Sequence, residues 1–132
     1  MALDAINQTN AAFYRAFEAL DLRAMEEVWA HGEHVKCVHP GWPLLTGWEA
    51  VRASWETIFL NTQEMRFTLT DVRVAAAGDL AWVTCTENIL SDTDGRVGVT
   101  SILATNLFER DRGAWRMVHH HASHVLGRAA AH

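Results

Sequence analysis

Residues 104–125 read ATNLFERDRGAWRMVHHHASHV, and this stretch decides the fold because two alternating segments flank one turn signal. The triplet Asp111-Arg112-Gly113 predicts the turn, with one strand at about 97–109 and the last strand at about 114–126. Side chains along a strand point alternately to opposite faces of the sheet. One face of the last strand is therefore predicted to carry Trp115, Met117, His119, His121 and Ser123.

The pairing across this hairpin predicts the wall of a pocket. With Phe108 placed opposite Trp115, the predicted pairs are Asn106 with Met117, Ala104 with His119, and Ile102 with His121. The resulting face is apolar with a few polar groups, as ligand pockets are. Asn106, His119 and His121 are accordingly candidate functional residues.

Two more strands are predicted before the hairpin. Alternation starts at Met65 and changes parity at Thr70–Asp71, which predicts a bulge or bend there. Turn signals at 77–79 and 94–95 bound another strand over about 80–90. The chain is therefore expected to end in four antiparallel strands.

Helical periodicity fills most of the first half of the chain. It predicts an amphipathic helix over 4–20 and a second helix that is capped by Asp21 and stopped by Gly32. A short strand, Val35–His39, then ends at the proline turn 40–43, because proline has no backbone donor.

A third helix is predicted after that turn. Thr46 and Glu49 form a capping-box pattern, and Val51, Trp55 and Ile58 supply an apolar face. The predicted order is helix, helix, strand, helix and four antiparallel strands.

Composition narrows the class of protein. With 132 residues, 49% of them hydrophobic and 20% charged, the chain suits a single domain over 1–132. A net charge of −5 argues against a nucleic-acid partner. The sequence has no apolar stretch long enough to predict a membrane-spanning helix, so no membrane partner is expected. Cys37 and Cys85 lack metal-type spacing, so they are expected to be buried and inert in a reducing cytoplasm. No phosphate loop or dinucleotide fingerprint occurs, so no cofactor is expected.

This order of elements, the segment LLTGWEAVRASW at 44–55 and the closing stretch resemble the nuclear transport factor 2-like superfamily. The similarity is greatest to its SnoaL-like and kinase-association branch. The association domain of calcium/calmodulin-dependent protein kinase II ends in a similar strand, a Trp followed by His-x-His-x-Ser. Here Trp115, His119, His121 and Ser123 fill those places. The resemblance implies a cone-shaped, cystatin-like α+β fold, in which three helices pack on a curved, mixed, mainly antiparallel sheet with an internal pocket.

Histidines are the candidate catalytic residues. An imidazole titrates near neutral pH, so His119 or His121 in an apolar pocket could act as general acid or base, or could equally have a structural role. The related ketosteroid isomerases carry a catalytic aspartate before a proline, and His39 stands in that place. By the same resemblance Phe13 occupies the place of their catalytic tyrosine, with Tyr14 one position away. A metal held by the three histidines is a further alternative, although no metal is expected.

Aromatic residues are the candidate ligand contacts. Trp42 in the proline turn is predicted to close the mouth of the pocket, and Trp55, Trp82 and Trp115 are candidates for its walls. For Trp55, which lies on a helical stripe, plain core packing is the favoured alternative. Glu87 and its neighbour Asn88 could orient a ligand, but an edge or solvent-facing position explains them more simply. Which parity of residues 81–89 faces inward stays open.

Two functions fit these observations. The first is a protein that binds a small apolar or aromatic molecule, or an enzyme that converts it by acid/base chemistry as an isomerase, lyase or cyclase. The alternative is a non-catalytic association module that assembles through the outer face of its sheet. A homodimer fits both.

Overall fold

The protein, as a computed structural model, is described over residues 2–93 and 95–125. Its elements, in chain order, are α1 (Ala2–Ala19), α2 (Leu22–Val28), β1 (Lys36–Val38), β2 (Leu45–Thr46), α3 (Trp48–Leu60), β3 (Thr62–Ala77), β4 (Leu80–Thr93), β5 (Arg96–Asp111) and β6 (Ala114–His124). The predicted three helices and four long strands are present. The turn predicted at 94–95 includes Asp94, and the last strand was predicted to reach residue 126; both residues lie outside the described ranges.

The six strands form one curved, mixed sheet in the order β2-β1-β6-β5-β4-β3. Only β1 and β6 pair in parallel, and the other neighbours are antiparallel. The helices cover one face, here called the inner face, where the core includes Phe13, Trp55 and Phe108. The opposite face is called the outer face. This is the cystatin-like architecture that was predicted.

The ends of α2 differ in how well the sequence predicts them. The side chain of Asp21 accepts a hydrogen bond from the backbone N–H of Ala24 at 3.1 Å, so the predicted cap is confirmed. The helix does not continue to Gly32, because Trp29 is already extended and forms a bridge with Met117 of β6.

The start of α3 is not the predicted capping box. Gly47 is its first flanking residue, and no side chain caps the helix. Thr46 is instead part of β2, where it pairs with Lys36 of β1. Gly47 has a φ of 90°, a left-handed conformation that glycine adopts without strain, and this allows the chain to pass directly from strand to helix.

The predicted bend in β3 is confirmed. The pairing with β4 shifts between Thr70 and Arg73, and Asp71 has a φ of 55°. Beyond this bulge Val74 returns to the inner side, opposite Val83 of β4. The bulge therefore lets both halves of a long, bent strand face the same core.

The predicted hairpin pairing between β5 and β6 is wrong. The turn has only two central residues, Arg112 and Gly113, both with positive φ, so Asp111 pairs with Ala114. Trp115 consequently lies opposite Arg110, and not opposite Phe108. The inner-face residues that the prediction named pair differently: Phe108 with Met117, Asn106 with His120, Ala104 with Ala122, and Ile102 with His124.

A second irregularity in β6 reverses the predicted orientation of the histidines. Leu107 pairs with His119 while Phe108 pairs with Met117, so Val118 is an extra, bulged residue. After this bulge, His120 and Ala122 are buried on the inner face. His119, His121 and Ser123 lie on the outer face instead of sharing a face with Trp115 and Met117, so the prediction that they line the pocket is wrong.

The orientation of β4, which the sequence left open, is settled by burial. Ala81, Val83, Cys85 and Glu87 are buried on the inner face. Trp82 lies on the outer face with 38% of its surface exposed. Within the described part of the chain, no helix combines the length and apolar character needed to cross a bilayer.

The orientation of β6 predicts opposite effects of a charge at two adjacent positions. We expect Ala122→Asp to destabilise the fold by about 3 kcal/mol or more, because it buries an unpaired carboxylate. Ser123→Asp is the matched control on the outer face and should change the free energy of unfolding little. Urea unfolding of both variants measures the difference, and equal costs would contradict the bulge at Val118.

Candidate functional site

A cavity of about 410 Å³ opens between the inner face of the sheet, α3 and the proline turn after β1. Its apolar wall consists of Phe17, Ile58, Met65, Ile89, Ile102 and Ala122. Its buried polar lining includes His39, Glu87 and His120, while Trp42, Thr57, Asn61 and His124 lie at its exposed rim. A larger cleft of about 730 Å³ along α2 is lined mainly by exposed charged side chains and contains none of these buried polar groups.

Glu87 is the buried carboxyl of this cavity. It lies on the inner face of β4 with 2% of its surface exposed, and the hydroxyl of Tyr14 donates a short hydrogen bond to its Oε2. Burial raises the pKa of Glu87 from 4.5 to about 7, although the hydrogen bond from Tyr14 acts in the opposite direction. Near neutral pH, Glu87 can therefore hold or release a proton.

A chain of hydrogen bonds connects Glu87 to His120. The side-chain amide of Asn106 donates to Asn10 Oδ1 at 3.0 Å and to the hydroxyl oxygen of Tyr14 at 3.2 Å. Asn106 Oδ1 then faces His120 Nδ1 at 2.6 Å and accepts its proton. The chain therefore runs from His120 through Asn106 and Tyr14 to Glu87.

This chain fixes the tautomer of His120. Because Nδ1 carries the proton donated to Asn106, Nε2 of the neutral ring has the free electron pair. Burial lowers the pKa of His120 well below 6.5, and His39 and the two adjacent histidines lower it further. His120 is therefore a neutral imidazole in the wall of the cavity, suited to accept a proton at Nε2.

His39 is a second neutral imidazole in the same cavity. Ser54 donates its hydroxyl proton to the carbonyl of Val51 at 2.6 Å, so its oxygen accepts from His39 Nε2 at 2.9 Å. The rings of Trp42 and Trp55 pack edge-on against the His39 ring, with centroid distances of 4.9 and 4.7 Å. Burial lowers the pKa of His39 to about 4.

The structure brings some of the predicted site residues together. His39 and Trp42 line the cavity, and Asn106 contacts it through His120. Trp55 lies fully buried behind the cavity, where it packs on both His39 and His120.

Other predicted site residues lie elsewhere. Trp82 is on the outer face because β4 turns its odd-numbered residues inward. Trp115 lines a groove between α1 and α2, and Cζ of Arg110 lies 5.3 Å from the centroid of its ring. The two-residue turn pairs Trp115 with Arg110, which places it farther from the cavity than predicted. His119 and His121, predicted as catalytic, are on the outer face.

Tyr14 and His120 were not predicted for the site, and for Glu87 a place there was only one of two alternatives. The sequence carried a signal for Glu87, because Ala81, Val83 and Cys85 share its parity and are apolar. It also carried one for Tyr14, which follows Ile6 and Asn10 at steps of four residues and so lies on one helix stripe. His120 had no such signal, since the bulge that turns it inward leaves no mark in a run of three histidines.

The structure also shows where the two thiols and the three histidines of the metal alternative lie. Cys37 and Cys85 are unpaired and buried, and burial raises the pKa of both, that of Cys85 to about 11. Thiolates are therefore disfavoured at both positions, as predicted. Among the described residues no group of three or more His, Cys, Asp or Glu is placed to hold a metal. In the trio that the sequence suggested, His119 and His121 face away from His39.

Comparison with known proteins gives consistent relatives. The profile of the SnoaL-like domain family matches residues 6–127. The F-box protein SKIP8 of Arabidopsis thaliana is 35% identical over 122 residues, which are 92% of this chain and 50% of that protein, so this chain spans about half its length.

Two solved structures are similar in sequence as well as in fold. A candidate dehydratase of the NTF2-like family from Streptomyces avermitilis is 41% identical, with a TM-score of 0.89, over 95% of this chain and 96% of that one. A candidate calcium/calmodulin-dependent protein kinase type II association domain from Thiobacillus denitrificans is 37% identical, with a TM-score of 0.80, over 89% and 92% of the two chains.

The raised pKa of Glu87 predicts a specific dependence of stability on pH. Between pH 4.5 and about 7 the folded chain keeps a proton that the unfolded chain loses, so this group lowers the free energy of unfolding as pH rises. Glu87→Gln removes the titration. We expect the free energy of unfolding of the variant, relative to wild type, to rise by up to about 3 kcal/mol between pH 5 and pH 8. Urea unfolding at several pH values measures it, and a constant difference would contradict the buried, protonated carboxyl.

Proposed function

This chain belongs to the SnoaL-like domain family of the nuclear transport factor 2-like superfamily, and we propose that it is a lyase that eliminates water from a small apolar β-hydroxy carbonyl compound. One observation supports this proposal most. A carboxyl that holds its proton to near-neutral pH, Glu87, and an imidazole that stays neutral, His120, line the same apolar cavity. Environments that push the pKa values of two groups in opposite directions identify an acid and a base.

The proposed reaction uses both groups in one elimination. Nε2 of His120 takes the proton from the carbon next to the carbonyl, and the electron pair of that C–H bond forms the new C=C bond. The bond from the β-carbon to the hydroxyl breaks, while Glu87 transfers its proton to the departing oxygen. Water and an unsaturated carbonyl compound are the products. His120 ends with one proton more and Glu87 with one fewer, and exchange with water restores both.

His39 is assigned a different role from His120. Its Nε2–H is bound to Ser54, and the sulfur of Cys37 lies within 3.9 Å of Nδ1. These contacts make it less accessible as a base. We propose that His39 and the ring of Trp42 above it orient the ligand.

Asn106 and Tyr14 are proposed as positioning residues. Asn106 holds the tautomer that leaves His120 Nε2 free, and Tyr14 holds the carboxyl of Glu87. The relative from Streptomyces avermitilis, described as a candidate dehydratase, gives separate support to elimination over isomerisation or cyclisation.

Loss of either proton-transfer group should abolish elimination without unfolding the chain. We expect Glu87→Gln and His120→Gln to reduce kcat/KM at least about 100-fold, the usual contribution of a general acid or base. A convenient probe is 3-hydroxy-1-tetralone, because its dehydration gives fluorescent 1-naphthol. The matched control is His121→Gln, which makes the same change one residue away on the outer face and should keep full activity.

The pH profile separates this mechanism from nonspecific catalysis. Activity should fall above about pH 7, as Glu87 loses its proton, and fall again in acid, where His120 gains one. The alkaline limb should disappear in Glu87→Gln, along with most of the rate. Equal loss of activity in the variants of His120 and His121 would contradict the proposed roles.

A second candidate function is self-association through the outer face, and it is compatible with the first. Large apolar side chains there are exposed, including Val97 at 72%, Val99 at 83% and Leu103 at 51%. Such a patch on a folded domain commonly marks a protein interface. The similarity to a candidate association domain also supports it. We propose a homodimer, and we keep the cytoplasm as its proposed location.

A charge in this patch should dissociate the dimer. We expect Val99→Lys to convert the protein from dimer to monomer with little change in its fold, because two copies of the charge would face each other across the interface. Leu60→Lys is the matched control, since Leu60 is 80% exposed at the end of α3, on the helical side. Sedimentation equilibrium measures both. A wild-type chain that is monomeric at high concentration would contradict the proposal.

A further inference from the structure

We infer that the molecule taken up by the cavity beside Glu87 and His120 is electrically neutral, so that carboxylates, phosphoesters and amines are poor ligands. This inference rests on the proposed function and names the class of substrate. Three features of the described lining support the inference: its charges, its apolar wall and its polar rim.

The described residues that line the cavity include no lysine or arginine. Their titratable side chains are those of His39, Glu87, His120 and His124. Burial raises the pKa of Glu87, and the hydrogen bond from Tyr14 acts in the opposite direction. Along the described part of the lining, an anionic ligand would therefore find no permanent positive charge to pair with.

The two buried imidazoles do not supply that charge either. His39 and His120 are both buried and both neutral at physiological pH, because burial lowers their pKa values. Each also uses its one ring N–H within the protein, His39 toward Ser54 and His120 toward Asn106. A buried carboxylate or phosphate would lie unpaired beside Glu87, and desolvating an unpaired ion costs several kcal/mol.

A cationic ligand is disfavoured for a different reason. An ammonium group would pair only with ionised Glu87, and one oxygen of that carboxyl already accepts from Tyr14. Such a pair would lie against Ile89, Ile102 and Met65, where water cannot complete its hydrogen bonds. It would also remove the proton that elimination requires.

Uncharged polar side chains at the rim and in the half-buried wall offer hydrogen bonds to a neutral ligand instead. Thr57, Asn61, Ser91 and Thr100 offer hydroxyl and amide groups, which suit carbonyl and hydroxyl oxygens. Trp42 offers a flat apolar surface at the same opening. A volume of about 410 Å³ suits a compact ring compound. The ligand class is therefore a neutral cyclic or aromatic ketone or alcohol.

Three probes with one ring system test the charge alone. They are 2-acetylnaphthalene, 2-naphthoate and 2-(aminomethyl)naphthalene, titrated into the full chain at pH 6, where Glu87 keeps its proton, with intrinsic tryptophan fluorescence as the readout. We expect the ketone to bind with a Kd at least about tenfold lower than either charged probe, which corresponds to about 1.4 kcal/mol.

A designed charge reverses the preference. Ser91→Lys should place an ammonium group at the wall and strengthen binding of 2-naphthoate at least about tenfold. Ser91→Met is the matched control, since it adds a side chain of similar length without charge. It should leave the order of the three probes unchanged.

The outcomes distinguish this inference from the proposed function. Equal or tighter binding of 2-naphthoate or of the amine by the wild type would overturn it, and so would failure of the ketone to bind. Binding of the ketone by both wild type and Glu87→Gln, with no elimination by either, would leave the ligand class standing and refute the lyase.

Discussion

A buried chain of hydrogen bonds from His120 through Asn106 and Tyr14 to Glu87 fixes helix α1 against the three long strands β4, β5 and β6. Polar side chains occur at this depth because each has a partner, and leaving one unpaired costs about 1–3 kcal/mol. The order of donors along the chain also sets the chemistry. Because Asn106 spends both amide hydrogens on Asn10 and Tyr14, its oxygen must accept from His120. One set of contacts therefore determines the rotation of α1 about its axis and the tautomer of His120, the candidate base.

The bulge at Val118 determines which histidine takes part in that chain. Side chains alternate with a period of two, so one extra residue moves everything beyond it to the opposite face. His120 enters the cavity for this reason, and His119 and His121 remain on the outer face. Three consecutive histidines thus serve two surfaces, a proposed reaction site inside and a proposed contact surface outside. The two proposed functions use different residues, so one chain can both catalyse a reaction inside and assemble through the outer face of its sheet.

The sequence predicts the architecture far better than the site. The order of helices and long strands along the chain, and the bend at Asp71, followed from apolar periodicity and turn signals, since the parity change at the bend is visible in the pattern. The bulge at Val118 was invisible because histidines and small residues occupy both parities after it. For Glu87 a ligand contact was considered, but a solvent-facing or edge position was the simpler interpretation, because its partner Tyr14 lies 73 residues away in sequence. The capping box failed because Thr46 pairs with Lys36 in the sheet. Contacts between separate elements decided the misses at Glu87 and Thr46, while a local turn and a bulge decided the pairing of the last hairpin.

The central claim is that Glu87 holds a proton while His120 remains without one at Nε2. Nuclear magnetic resonance with carbon-13 in the glutamate carboxyls and nitrogen-15 in the histidine rings measures both states in a single pH titration. We predict that Glu87 titrates near pH 7, and that at pH 6 His120 is neutral with its proton on Nδ1. A Glu87 that ionises near 4.5, or a His120 that is already an imidazolium at pH 6, would contradict the account.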